Sequence, residues 1–294
     1  MHWKKITLIG VGLLGGSLGL ALKQRRLTDS VVGYVRRSAS IRECKQAGAV
    51  DRASLDLADA VAGADLIVLC TPLAQMRPLV QQMLPALQGG VVVTDVGSVK
   101  GNVVRELESL VAKAGGQFVG SHPMAGAEKT GVAAARADLF LNAVCVTTPT
   151  SKTNRTALRK VEQLWKSVGC RVLRLTPEAH DKLVSRSSHL PHAVAAGLAN
   201  LVLRPGAPST QLMLCANGFR DTTRIASGSP EMWRDIALAN RRNLAVAVEE
   251  LITDLQAFRR LLKGGDGVAL QKLFEQAKRR RDTWSRQAIT SSPE

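Results

Sequence analysis

Three glycines, Gly10, Gly12 and Gly15, stand at G-x-G-x-x-G spacing within "KKITLIGVGLLGGSLGLALKQRR". The β-branched run before them reads as a strand and "SLGLAL" after them as a buried helix, the context in which this spacing holds a dinucleotide. Gly10 permits a tight turn, Gly12 lets the backbone approach a pyrophosphate, and Gly15 lets helix and strand pack closely. The helix start, with Leu13 and Leu14, then offers free N–H groups and a partial positive charge to the phosphates. An export or membrane signal is the other reading of this uncharged run, but no A-x-A-like cleavage site follows it and its five glycines weaken a lipid-facing helix.

A second group of reactive residues lies in "GSHPMAGAEKTG" (120–131). A histidine after a strand, in a loop punctuated by Gly and Pro, falls at the carboxyl end of the sheet, where ligands bind in this architecture. His122 titrates near neutrality, so it can polarise or deprotonate an alcohol as hydride leaves for a nicotinamide. Ser98 of "GSVK" would share the hydrogen bond to that alcohol; taken singly, His122 reads more readily as a structural histidine, and it is the neighbouring "GSVK" and the expected nicotinamide that make it a catalytic candidate. The end of the second strand selects the cofactor: an NAD site usually has Asp or Glu there, whereas here the position falls near Val35 and Arg36, Arg37 and Ser38 follow, with no carboxylate before Glu43. These residues suit a 2′-phosphate and favour NADP. The alternative is that Arg36 stacks on the adenine and NAD binds. Thr71 and Pro72, closing "ADLIVLCTP", complete the predicted cofactor contacts.

The elements that must position these residues follow from the pattern. Strand-like runs at "ITLIG", 31–37, 64–72, 90–100, 116–126, 143–150 and 170–177 alternate with short helical stretches, which predicts an α/β, doubly wound, mainly parallel Rossmann-type sheet. From Glu178 the strand pattern stops and long stretches show helical spacing. Residues 1–176 therefore read as a dinucleotide-binding domain and 177–294 as an all-helical substrate-binding and dimerisation domain. Ile236, Leu244, Val248, Leu251, Leu255 and Leu262 recur at threes, fours and sevens, an apolar stripe extended enough to predict a homodimer, with an intrachain bundle as the alternative. "TSSPE" reads as a frayed tail.

Composition excludes several classes. The 294 residues are 45% hydrophobic and 22% charged, ordinary for a soluble globular protein. Five scattered cysteines with no C-x-x-C argue against a disulfide framework or zinc site and for a reducing, cytoplasmic setting; no metal cluster is evident. The net charge of +16 favours anionic ligands, yet only 3% of residues are aromatic, which leaves little stacking surface for single-stranded nucleic acid. "KRRRD" (278–282) reads as a solvated helical face rather than a nucleic-acid site, and beyond the opening run no segment suits a membrane.

Together, "GVGLLGGS", "VLCTP", "TDVGSVK", "GSHPMAGAEKTG", "SSHLPHAVA", "GFRDTTRIASGSPEMWRDI" and the helical second half resemble the prephenate dehydrogenases, a family that includes arogenate and cyclohexadienyl dehydrogenases. The resemblance spans nearly the whole chain. It implies oxidative decarboxylation on the route to tyrosine: a nicotinamide takes hydride from the ring carbon bearing the hydroxyl, carbon dioxide leaves, and the ring becomes aromatic. It assigns His122 to the catalytic hydrogen bond and Arg224 to a substrate carboxylate, assisted by Arg220. Asp221 would orient or gate that region, and His192, Glu128 and Trp233 match pocket positions, with His189 less clearly placed. It also implies a minimal catalytic unit, with no room after Trp284 for an ACT or chorismate mutase domain.

Plainer readings exist for several of these. Trp233 fits a helix-start packing residue, Asp221 and Arg224 a helical ion pair, His189 a cap beside Pro191, and Glu128 an exposed loop carboxylate. A β-hydroxyacid dehydrogenase would use a lysine near the nicotinamide, for which Lys182 is the candidate. A non-catalytic NADP-sensing, nucleic-acid-binding module is the more distant alternative.

Overall fold

A computed structural model describes residues 2–290. Eight strands form one sheet: β1 (Trp3–Ile9), β2 (Thr28–Tyr34), β3 (Arg52–Ser54), β4 (Leu66–Leu69), β5 (Val92–Asp95), β6 (Gln117–Pro123), β7 (Val144–Thr148) and β8 (Arg171–Arg174), in the order β3-β2-β1-β4-β5-β6-β7-β8. Pairing is parallel from β3 through to β6, β7 runs antiparallel to β6, and β8 is parallel to β7. Helices α1 (Leu13–Gln24), α2 (Ser38–Gln46), α3 (Leu57–Val61), α4 (Leu73–Met83), α5 (Gly101–Lys113) and α6 (Arg155–Ser167) connect the strands. Then follow α7 (Pro177–Val184), α8 (Leu190–Val202), α9 (Ser209–Met213), α10 (Asn217–Thr223), α11 (Pro230–Ala239), α12 (Arg241–Gly264) and α13 (Gly267–Thr290). The tail expected over 290–294 lies, from residue 291, outside the described residues.

The central strands are apolar without interruption because helices cover both faces of the sheet. Side chains alternate between faces: Ile6, Leu8, Leu66 and Val68 join Leu18, Leu22 and Trp165 on one side, while Ile9, Ile67 and Leu69 join Met76, Met83 and Leu107 on the other. Strand β3 carried no sequence signal. Its three residues, Arg-Ala-Ser, hold no apolar alternation and form a strand only by parallel pairing with Val32–Tyr34 at the sheet edge. The antiparallel β7 extends β6 beyond where a loop was expected, so His122 lies within β6, opposite Val146, rather than after it.

Two breaks in the helical stretches matter for the site. Between α7 and α8 the backbone widens into a π-helical turn over Ser185–His189. Pro191 lacks an N–H and its ring crowds the carbonyl four residues back, which favours the wider turn. The helical stretch that carries the apolar stripe from Ile236 is broken at Asn240 (φ −110°, ψ 25°), between α11 and α12.

The described residues form two compact units, one reaching Arg241 and one beginning at Arg242. The first contains the sheet and the helices as far as α11. In the second, α12 and α13 expose Val246, Ile252, Leu255, Leu262, Val268, Phe274 and Trp284. "KRRRD" is an exposed face of α13, laced by the Lys278–Asp282 pair at 2.6 Å. No helix among the described residues is long and apolar enough to cross a membrane.

The glycine turn predicts contrasting mutational responses. A Cβ on Gly15 would lie 2.1 Å from the Gly10 carbonyl oxygen, whereas one on Gly12 would meet nothing within 4 Å. Gly15→Ala should therefore lower unfolding stability by about 1–3 kcal/mol, as overpacking does. Gly12→Ala should leave stability nearly unchanged, which thermal or urea unfolding of the two variants checks.

Candidate active site

The cofactor side of the site is a cleft of about 540 Å³ at the carboxyl ends of β1, β2 and β4. Gly10, Gly12, Arg36, Arg37, Thr71 and Pro72 line it, together with Val11, Tyr34, Ser40, Glu43 and Gln75, which the sequence reading did not assign to the cofactor. Gly10 adopts φ +91°, which an L side chain rarely tolerates, and so turns the chain from β1 into α1. The first-turn N–H groups of α1, those of Leu13 and Leu14 among them, have no acceptor within the helix. The side chains of Leu13 and Leu14 pack instead against the core and do not line the cleft.

Three features fit a dinucleotide here. The space above Gly12 is open to a phosphate. Thr71 Oγ1 is a buried hydroxyl with no hydrogen-bond partner in the protein. At the end of β2, Val35 is buried where a ribose-binding carboxylate would stand, and Arg36 and Arg37 follow it into the cleft wall. Arg37 Nη2 lies 3.5 Å from Glu43 Oε2, which steadies both groups. Ser38, expected to join them, begins α2 as an exposed residue and does not line the cleft.

On the other side, three elements converge on His122. Its Nδ1 lies 2.8 Å from His180 Nε2, and His180 Nδ1 lies 2.8 Å from Asp181 Oδ1. The Asp181 carboxylate also accepts from the backbone N–H groups of Lys100 (2.7 Å) and Gly101 (2.8 Å). It thereby caps α5, whose own N-cap residue supplies no side-chain bond. An acceptor at Asp181 requires His180 to donate from Nδ1 and accept at Nε2. His122 then donates from Nδ1, and its Nε2 is a lone pair. His122 is thus built as a hydrogen-bond acceptor.

Below it, Lys100 and Asp95 form an ion pair with both side chains fully buried. Lys100 Nζ donates also to the Ser121 carbonyl (2.9 Å), and Asp95 accepts from Gly97 N (2.8 Å) and Ser121 N (3.1 Å). Both carboxylate oxygens and the ammonium thus have hydrogen-bond partners besides the ion pair itself, the condition under which a buried ion pair is tolerated. Burial, then the charges of His180 and Lys100, hold His122 well below its usual value. Burial likewise lowers His180 and His192 and brings His189 down to about 4. All four rings are neutral at pH 7.

The structure brings together much of the predicted substrate side. His192 stacks on Trp233 (centroids 3.6 Å apart, 25° between planes), and His189 meets the same indole edge-on at 6.2 Å. Trp233 is therefore neither a solitary packing residue nor remote from the histidines. Arg224 forms an ion pair with Glu128 of the His122 loop. Ser98 is half-buried in the β5–α5 connection, with its backbone beside His189. Arg220 and Asp221 lie exposed on α10. Lys182, the candidate for β-hydroxyacid chemistry, is exposed, and the buried lysine is Lys100, engaged by Asp95. His180, Asp181, Lys100, Asp95 and Asn240 were not singled out from sequence; "PEAHDKL" and "LANRRNL" carry no spacing that separates them from solvated helix. Among the described residues no His, Cys, Asp or Glu cluster is arranged to hold a metal.

A stability consequence follows. An unfolded histidine titrates near 6.5, and His122, His180, His189 and His192 are all lower when folded. As pH falls through 6.5 the unfolded chain binds protons first, so stability is full above that pH and declines below it. The fall continues toward about 4, where His189 titrates in the folded chain. Urea midpoints between pH 7.5 and 5 should fall, and His122→Asn should show a shallower slope; equal midpoints across that range would contradict the neutral cluster.

Comparison with known proteins agrees with this geometry. The model of the prephenate dehydrogenase nucleotide-binding domain matches residues 18–174, and that of the prephenate dehydrogenase dimerization domain matches 176–276. The chain is 34% identical over 288 residues to prephenate dehydrogenase of Bacillus subtilis (strain 168), across 94% of this chain and 75% of that protein. It is 34% identical over 282 residues to cyclohexadienyl dehydrogenase of Zymomonas mobilis subsp. mobilis, across 95% of each. The crystal structure of prephenate dehydrogenase from A. aeolicus in complex with hydroxyphenyl propionate and NAD+ matches with TM-score 0.88 and 32% identity, covering 96% of this chain and 99% of that one. With a nucleotide-binding cleft, a neutral histidine poised as acceptor and family models spanning both halves, this chain belongs to the prephenate dehydrogenase family.

Proposed function

We propose that the protein oxidatively decarboxylates prephenate, arogenate or both, with NADP preferred over NAD, and that it works as a homodimer. The observation that carries the reading is the His122–His180–Asp181 chain, which leaves His122 Nε2 as an acceptor toward the carboxyl end of β6, in the same sheet whose β1, β2 and β4 ends form the dinucleotide cleft. Bound in that cleft, the nicotinamide supplies the hydride acceptor. His122 Nε2 accepts the hydrogen bond of the ring hydroxyl, with Ser98 as a second partner, and holds that proton as the carbon–oxygen bond gains ketone character. The ring carboxylate then departs as carbon dioxide, its bonding electrons enter the ring, and the proton returns to what is now a phenol oxygen. His180 and Asp181 hold the ring orientation and keep Nδ1 the donor, so that Nε2 is the nitrogen that takes the proton.

Arg224 is assigned to a substrate carboxylate, because its fork suits an acid group and already engages the carboxylate of Glu128. Arg220 and Asp221, one turn before it, are assigned to guiding the acid group in. His192 and Trp233 form a stacked wall for the ring. Glu128 is the residue most suited to separate the two substrates, since arogenate carries an ammonium where prephenate has a keto group. Residues 1–176 are assigned to the cofactor, and 177–294 to substrate and dimer contacts. The dimer is supported by the match to a dimerization domain and by the apolar side chains exposed along α12 and α13. The preference for NADP is supported by Arg36 and Arg37 at the end of β2 and the absence of a carboxylate at Val35.

Steady-state kinetics with prephenate and arogenate, each with NAD and NADP, tests these assignments. Carbon dioxide and a phenolic product are expected, and turnover of a simple β-hydroxyacid instead would overturn the reading. His122→Asn should lower kcat by roughly a hundredfold or more with little change in cofactor affinity. Arg224→Gln should raise the substrate KM roughly ten- to a hundredfold, the worth of a charged hydrogen bond.

A separate expectation concerns the cofactor. Arg36→Ala should raise KM for NADP about tenfold while changing KM for NAD far less, as loss of a phosphate contact does. Equal effects on both would assign Arg36 to the adenine instead.

A further inference from the structure

The four histidines of the site are not protonated alike, and the hydrogen bonds decide which nitrogen of each carries the proton. A carbonyl oxygen can only accept, so His192 Nδ1, 3.0 Å from the Ser188 carbonyl, is protonated and its Nε2 is a lone pair. His180 and His122 are also Nδ1–H, because their chain ends on the Asp181 carboxylate. His189 is reversed. Asn240 Nδ2 lies 2.8 Å from the main-chain oxygen of Asp181, an obligate acceptor, so that atom is the amide nitrogen and not its oxygen. The same nitrogen lies 3.1 Å from His189 Nδ1, which must therefore be a lone pair, and the proton sits on Nε2.

Both residues are buried, Asn240 at 3% and His189 at 1% exposure, and His189 Nε2 completes no hydrogen bond in the protein, although the Ser98 main chain lies beside the ring and favours its proton. A buried N–H without an acceptor is costly, and it marks a position an acceptor can fill. We propose that Asn240 is a positioning residue that holds His189 as its Nε2–H form, so that His189 donates to an acid oxygen of the substrate while His122 serves as acceptor. The proposal rests on the reading of a carboxylate-bearing substrate given above. Asn240 can do this because the chain leaves α11 at that residue, which directs its side chain back to α7 and the π turn. A neutral donor also suits its neighbour. A positive charge at His189 would further oppose protonation of His122, whereas a neutral N–H can bind an acid oxygen without that penalty.

The test has two arms, both on the full chain. In long-range proton–nitrogen spectra of protein with nitrogen-15 histidine, His189 should show a protonated Nε2 and a bare Nδ1, opposite to His122, His180 and His192. Its signals are identified by their loss in His189→Gln. A protonated Nδ1 at His189 overturns the proposal. In the kinetic arm, His189→Leu should raise the substrate KM roughly ten- to a hundredfold without altering the cofactor KM. His189→Gln, which retains an amide donor, should stay close to wild type; equal KM values in the two variants overturn the donor role.

Asn240→Asp supplies the readout that a merely structural role would not move. Its carboxylate turns His189 Nδ1 into a donor, so His189 keeps an Nε2 proton only while doubly protonated, and the substrate KM should rise with pH relative to wild type. A KM–pH profile parallel to wild type overturns the proposal. Should Asn240→Asp not fold, the wild-type spectrum and the His189 pair still decide. If the protein turned over neither prephenate nor arogenate, the proposed function would fail while the spectrum of the free protein still judged the tautomer.

Discussion

The carboxylate of Asp181 connects parts of the chain that are far apart in sequence. It receives the N–H groups that open α5 and the imidazole of His180, and through that ring it fixes His122 on β6. Its own main-chain oxygen receives Asn240, at the start of the break before α12. Because a carboxylate only accepts, one group imposes direction on the whole set: protons point toward Asp181, and His122 faces outward with a lone pair. Much of what the site can do follows from that one-way constraint.

Neutrality is the second condition. Charged imidazoles are expensive where water is excluded, and the buried Lys100 and the neighbouring rings add to that cost at His122. The Asp95–Lys100 pair supplies a fixed charge distribution beneath the site without net charge, and its remaining bonds tie the loop after β5 to the backbone of β6. Removing either partner would leave an uncompensated buried ion, so the pair belongs to the stability of the scaffold as much as to its electrostatics. His122 therefore sits within a strand paired on both sides and not on a loose loop.

Legibility differed between the two sides of the site. The cofactor cleft could be read almost directly, because its demands are local: Gly10 at positive φ, open space at Gly12 and backbone contact at Gly15 all fall within one turn of chain. Arg36 and Arg37 were legible for the same reason, following β2 by position alone, although Ser38 turned out to face away into solvent as α2 begins. The side proposed to hold the substrate was harder. His122, His192, Arg224 and Trp233 emerged through motifs spread over more than a hundred positions, while His180, Asp181 and Asn240 look like ordinary polar residues on helices until tertiary packing buries them.

The sequence by itself determined the alternation of strand and helix, the turn that opens the cofactor site, and the pool of residues able to handle a proton and an acid group. Those are properties of neighbours along the chain, where spacing and propensity suffice. Only the tertiary structure decided that β3 exists, that β7 reverses and carries His122 within a strand, and which histidine donates and which accepts. Protonation and burial depend on partners far along the chain, 58 positions apart for His122 and His180 and 81 for Lys100 and Asp181, and no local pattern records which groups will meet when the core closes.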